Sequence, residues 1–152
     1  MAIVRTAGTE IIRNILLEDI TGDATHKVII GEQHHIYTVL SITICAVGVA
    51  SSAHYIDCLI NGYDSFAGTT NQVINIFRAR PAEWSTFVFN DKFSFTGHEP
   101  TDFAGPMDDV SKQNAISAQG SSVSQQLRLY TSDSSSSTKY DVTCTYIDQN
   151  NE

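Results

Sequence analysis

The sequence predicts an all-β domain, an antiparallel β-sandwich of jelly-roll or immunoglobulin-like type with about eight strands. Three observations predict it. The dominant hydrophobic period is two, the runs that carry it are rich in Ile, Val, Thr, Tyr and Phe, and clusters of Gly, Asn, Asp and Ser separate them at sandwich-like spacing. Neither an internal repeat nor a linker interrupts the 152 residues, so 1–152 reads as one domain with residues 1–24 a possible N-terminal arm.

Residues 9–18 open the chain ambiguously. Ile11, Ile12, Ile15 and Leu16 would share one face of a helix, but β-branched residues lose rotamer freedom there, which favours a strand or extended arm. Residues 19–23 read as a turn and 27–30 as a short strand closed by Gly31. The strongest strand is 35–47. Strict alternation puts Ile36, Thr38, Leu40, Ile42 and Ile44 on one face and Tyr37, Val39, Ser41, Thr43 and Cys45 on the other. Both faces carry apolar residues, as a central strand requires. In 54–61, Ile56, Cys58 and Ile60 alternate with Tyr55, Asp57, Leu59 and Asn61; residues 62–70 then turn the chain.

Residues 72–78 form the next strand, with Val73, Asn75 and Phe77 opposite Ile74, Ile76 and Arg78; Pro81 breaks it, having no N–H for a ladder. Residues 85–90 and 93–96 read as a tight hairpin around Asn90-Asp91-Lys92, with Phe87, Phe89, Phe93 and Phe95 clustering in the core. No period marks 97–105, and 109–119 has room for one or two helical turns ended by Gly120. Two strands finish the chain: 122–131, with Leu127 and Leu129 inward, and 139–147, with Tyr140, Val142, Cys144 and Tyr146 on one face. The serine-rich tip at 132–138 reads as a mobile loop in solvent.

Composition excludes several function classes. Nine basic against seventeen acidic residues give a net charge of −8, and nucleic-acid binders need a basic stripe to release counterions. No run is long and apolar enough to span a membrane, and Met1-Ala-Ile-Val-Arg-Thr6 lacks a secretory leader, so folding in a cytoplasm is expected. Cys45, Cys58 and Cys144 are odd in number and sit in apolar runs, as buried thiols do. Only 17% of residues are charged, while Ser and Thr make up about a fifth. Either uncharged polar side chains solvate the surface or much of it is covered.

A search for chemistry returns little. Phosphate and dinucleotide loops, a nucleophile elbow, a zinc helix and a Cys-x-x-Cys pair are all missing, and the chain is expected not to be an enzyme. No catalytic, cofactor-binding or metal residue is assigned. His34 and His35 are adjacent and point apart on a strand, and Glu99, Asp102, Asp108 and Asp109 lack calcium-loop spacing. Trp84 is expected to pack on the sheet, with stacking on a sugar ring as the alternative. Ile11, Ile12, Ile15, Leu16 and Leu17 form a surplus apolar run: a subunit interface, or simply the first strand of the sandwich.

The run His34-His-Ile-Tyr-Thr-Val-Leu-Ser-Ile42, the segment Phe87-Val-Phe-Asn-Asp-Lys-Phe-Ser-Phe95 with Glu99-Pro-Thr-Asp-Phe103, and the end Tyr140-Asp-Val-Thr-Cys-Thr-Tyr-Ile-Asp-Gln149 resemble small virion structural proteins of aquatic tailed phages, cyanophages in particular. The resemblance covers most of the chain and brings no catalytic or ligand residues with it. It implies a protein made in a bacterial cytoplasm and built into a virion. The leading expectation is a capsid decoration (cement) protein, favoured as a homotrimer, bound to the major capsid protein. A neck, tail-adaptor or baseplate part, or a host-glycan-binding sandwich, are the alternatives.

Overall fold

The computed structural model describes residues 10–32, 34–51, 53–64, 69–97, 125–134 and 136–150, with backbone alone at 62–64 and 69–72. The expected helical turns at 109–119, the loop beyond Gly97 and the four acidic residues Glu99, Asp102, Asp108 and Asp109 lie outside these.

The described residues form nine strands: β1 (Glu10–Ile20), β2 (Asp23–Ile30), β3 (His35–Gly48), β4 (Ile56–Asp64), β5 (Thr69–Ala79), β6 (Thr86–Phe89), β7 (Phe93–Thr96), β8 (Gln126–Ser132) and β9 (Lys139–Asn150). They make two antiparallel sheets. Sheet A runs β1-β9-β3 and then β6 and β7 end to end along β3; sheet B runs β2-β8-β4-β5. The pairs β1·β9, β2·β8, β3·β6/β7 and β4·β5 are those of one long hairpin rolled over on itself. That is jelly-roll connectivity. An immunoglobulin sandwich pairs its strands in a different order, so the choice left open by the sequence falls to the jelly roll.

β1 resolves the first ambiguity. It pairs with β9 from Glu10 to Ile20 as an edge strand of the sandwich, and residues 10–24 are neither arm nor helix. The turn expected over 19–23 shrinks to Thr21-Gly22, where Gly22 takes φ +88°.

Two bulges overturn the strict alternation. On β3, Val39 faces Tyr146 and Ser41 faces Thr145, so Leu40 is an extra residue. The phase flips there, and Tyr37 and Val39 share the core face with Ile42, Ile44 and Ala46. On β5, Phe77 faces Cys58 while Asn75 faces Leu59, leaving Ile76 as the extra residue. Phe77 and Ile74 therefore stand on the same face, not on opposite ones.

The expected hairpin at Asn90–Lys92 is absent. β6 and β7 both pair with β3, β6 along Ile42–Cys45 and β7 along Ile36–Val39. They are two halves of one strand, broken at Asn90–Lys92 opposite the Leu40 bulge, where the ladder from β3 to β9 continues.

The core lies between the sheets. Val39, Ile42, Ile44, Tyr140, Val142 and Cys144 come from sheet A, and Ile56, Cys58, Leu127, Leu129 and Thr131 from sheet B. Phe77 closes one side, its ring 4.7 Å from Phe89 and 5.3 Å from Phe87. Tyr37 stacks at 5.4 Å on Phe95 on the other. The aromatic cluster read from the sequence is thus a bridge between sheets, completed by a residue of β5.

Candidate functional site

The outer face of sheet A is built by register. Three cross-strand rows run over its centre: Leu16, Thr143, Thr43 and Val88; Asn14, Thr145 and Ser41; and Ile12, Ile147, Thr38 and Ser94. Not one of these side chains is charged. Hydroxyls and amides satisfy one another across the strands, Thr145 Oγ1 donating to Asn14 Oδ1 at 2.7 Å and Thr38 meeting Ser94 at 2.9 Å. Leu16 is 58% exposed and Ile12 is 66% exposed, so the face mixes short polar side chains with protruding apolar ones.

The five residues singled out in the sequence divide between the two faces of β1. Ile12 and Leu16 belong to this outer face. Ile11, Ile15 and Leu17 oppose Asp148, Cys144 and Val142 on the core side, where Ile15 and Leu17 pack against the core. The run is a two-faced edge strand and does not form one apolar patch.

Sheet B presents the opposite character. Arg78 grips Asp57 through two hydrogen bonds of 2.7 and 2.8 Å and lies 3.7 Å over the Tyr55 ring, while Arg128 Nε donates to Gln126 at 2.9 Å. Sheet B thus carries an ion pair across its strands, whereas the ion pairs of sheet A, Arg13–Asp148 and Lys139–Asp19, lie off the three central rows.

Two polar clusters invite a catalytic reading, and geometry decides against it. At one end, His54 Nδ1 lies 2.6 Å from Thr138 Oγ1 and 3.6 Å from Asp133 Oδ2. A nucleophile–base–orienter relay needs the two partners on different ring nitrogens, and here both contact Nδ1. Thr138 is also fully buried, out of reach of any substrate. At the other end, the Asp148 carboxylate, 7% exposed, is shared by Arg13 Nε at 3.0 Å and His35 Nδ1 at 2.5 Å. No hydroxyl or thiol nucleophile joins that set. Among the described residues no three His, Cys, Asp or Glu side chains group as a metal site.

The first cluster also corrects the reading of the serine-rich tip. Asp133 and Thr138 are buried, so both ends of the connection are anchored in the sandwich, while Ser134, Ser136 and Ser137 between them are exposed. Alternation could not reveal this, since an Asp among serines looks like any solvated loop.

Burial of the thiols is as read for two of three. Cys58 and Cys144 lie in the core, and desolvation pushes both thiols up, that of Cys144 to about 12. Cys45 faces outward opposite Thr86 and is half-buried.

Trp84 does not pack on the sheet. It is 73% exposed and held at φ +59°, a conformation that costs a bulky residue about 1–3 kcal/mol. Two backbone bonds impose it: Trp84 N–H donates to Ala46 O at 2.8 Å and Ala46 N–H to Ser85 O at 3.1 Å.

No family model and no curated protein matches the chain. Among solved structures it is similar to a protein of Bacillus endospore appendages, described as a novel family of disulfide-linked pili, with a TM-score of 0.43 and 9% identity over 99% of this chain and 96% of that one.

Proposed function

We propose that the chain is a non-enzymatic structural subunit of a virion, a capsid decoration protein that seats as a homotrimer on the lattice of the major capsid protein. The observation that carries the assembly role is the charge-free centre of the outer face of sheet A, with Glu10 and Asp141 at its ends. Interface cores are depleted of Lys, Glu and Asp because an ion without a partner is costly to desolvate, and rows bearing only Thr, Ser, Asn, Ile, Leu and Val carry no such cost. A jelly roll presents that face on a rigid double layer and recurs in viral capsids. The virion itself is supported by the sequence resemblance. The acidic balance suits a place outside the shell, away from packaged phosphates.

The test is incorporation into particles. Thr143→Lys and Ser41→Glu place a charge at half-buried positions on the outer rows of sheet A, away from the core, and each is expected to leave the fold intact and abolish incorporation. Arg128→Glu on sheet B is expected to incorporate like the parent. A copy number near the capsomer count supports decoration, whereas a few to a dozen copies moves the protein to the neck or tail. Absence from purified particles, or face variants that incorporate normally, overturns the reading.

A further inference from the structure

We propose that the pocket between the β5–β6 turn and the β3–β4 connection binds a neutral saccharide, with Trp84 as its stacking platform. The pocket holds about 310 Å³ and is lined by Val49, His54, Arg80, Pro81, Ala82 and Glu83. That is the small end of ligand pockets, the size for a sugar unit and too tight for a long cofactor.

Four features converge on this ligand class. The first is the tryptophan itself, which follows the pocket residue Glu83 directly in the chain and stands in water instead of against the sheet. A flat, exposed indole offers a face to the C–H side of a sugar ring. The second is its strained backbone. Positive φ in a tryptophan persists only where neighbours impose it, and here the turn is clamped by Trp84 N–H to Ala46 O, by Ser85 N–H to Ala82 O at 2.9 Å and by Ser85 Oγ to Ala82 O at 2.6 Å. The backbone that carries the platform is therefore fixed before a ligand arrives.

The third is the polar lining. Among the described residues neither Arg80 nor Glu83 takes part in an ion pair. Together they present a cationic donor and an anionic acceptor. A carboxylate ligand would meet Glu83 and an amine ligand would meet Arg80, whereas vicinal hydroxyls satisfy both, donating to one and accepting from the other. The fourth is His54. Its Nδ1 is engaged by Thr138 Oγ1 and held near the buried Asp133, which fixes the ring and leaves Nε2 to any ligand contact it makes.

Trp84 is the only tryptophan in the chain, so intrinsic fluorescence reads this site alone. The full-length protein is titrated with glucose, galactose, mannose, N-acetylglucosamine and their common disaccharides, with sialic acid and glucosamine as anionic and cationic comparisons. At least one neutral sugar is expected to give a saturable blue shift in the millimolar range. Arg80→Ala and Glu83→Ala, both exposed and outside any ion pair among the described residues, with Arg80 reaching only the Tyr55 ring at 5.6 Å, are expected to keep the parent thermal midpoint and weaken that response at least tenfold. Trp84→Ala is expected to lose saturation-transfer NMR contact with the same sugar and to enter particles normally, which separates this site from the assembly face of sheet A. The proposal is overturned if no neutral sugar gives a saturable shift, if only sialic acid or glucosamine does, or if the response survives in Arg80→Ala and Glu83→Ala. Loss of particle incorporation by Trp84→Ala without any sugar response in the parent would assign the tryptophan to a protein partner instead.

Discussion

The carboxylate of Asp133 accepts the backbone N–H of Thr138 inside the β8–β9 connection, and both residues are sealed from solvent. Ser137 Oγ donates to the same carboxylate oxygen at 3.1 Å. Thr138 then ties in the rest of that end of the sandwich: its hydroxyl accepts from Ala50 N–H at 3.3 Å, and its carbonyl accepts from Thr21 Oγ1 at 2.5 Å. Removing the carboxylate leaves a buried N–H with no partner, which costs about 1–3 kcal/mol. Asp133→Ala is expected to lower the urea midpoint by an amount worth about 2 kcal/mol or more at unchanged slope, and Asp133→Asn by less, since its amide oxygen still accepts. Equal stability of parent and alanine variant would show that the tip is not anchored this way.

Gly31 and Gly97 mark a second constraint. Gly31 N–H donates to Gln125 O and Gln125 N–H to Gly97 O, each at 2.9 Å, so three segments cross with backbone against backbone. A Cβ on Gly31 would land on the Gly97 carbonyl, and one on Gly97 on the Glu32 backbone. Gly31→Ala is expected to cost about 3 kcal/mol, as overpacking does. For a domain of this size that lowers Tm by about 6–12 °C. Gly48→Ala is the control, because its Cβ would come no nearer than 3.9 Å to Ser137 O, and its Tm is expected to stay within about 2 °C of the parent.

The Leu40 bulge gives a third prediction. Deleting Leu40 removes the extra residue and leaves Tyr37, Val39, Ile42 and Ile44 in regular alternation on the core face, so a loss of only about 1 kcal/mol is expected, from a half-buried side chain. Deleting Leu40 and Ser41 together makes Val39 and Ile42 neighbours and forces either Tyr37 and Val39 or Ile42 and Ile44 to the solvent side. Two buried side chains at about 1.5–3 kcal/mol each put that loss at about 3 kcal/mol or more. Urea unfolding of the single and double deletions checks the difference. Similar losses in both would mean that the extra residue does not set the phase.

The same residue explains what was legible in the sequence. Strand positions and inward rows were readable wherever alternation ran unbroken, as at Ile56-Cys58-Ile60 and Tyr140-Val142-Cys144-Tyr146. They failed at Leu40 and Ile76, because a bulge adds one residue without changing composition, and at Asn90–Lys92, where a broken strand and a hairpin share the same turn residues. The outer face of sheet A was invisible for another reason. Its rows join residues from β1, β3, β6, β7 and β9, so the absence of charge becomes a surface only once the register is known. Trp84 was misplaced because burial is the common fate of a tryptophan, and the backbone bonds that hold it outward come from Ala46.

Alkaline pH should expose the buried acids of the core. Desolvation raises the Cys58 thiol well above its ordinary range, Cys144 from 9.0 to about 12 and Tyr37 from 10.0 to about 12. The sign follows from proton counts. Below pH 9 all three are protonated in both folded and unfolded chains, and their contribution is constant. Above it the unfolded chain releases protons that the native core retains, so the native state binds more and stability falls as pH rises. The decline is expected to start near pH 9 with the thiols, steepen above 10 as unfolded Tyr37 ionises, and extend toward 12. Each retained proton contributes a slope of up to about 1.4 kcal/mol per pH unit. Cys144→Ala is less stable at neutral pH because it leaves a small cavity, but its stability should decline less steeply between pH 9 and 11. Chemical denaturation across that range checks it, and an unchanged slope in Cys144→Ala would mean that this thiol is not held protonated by the core.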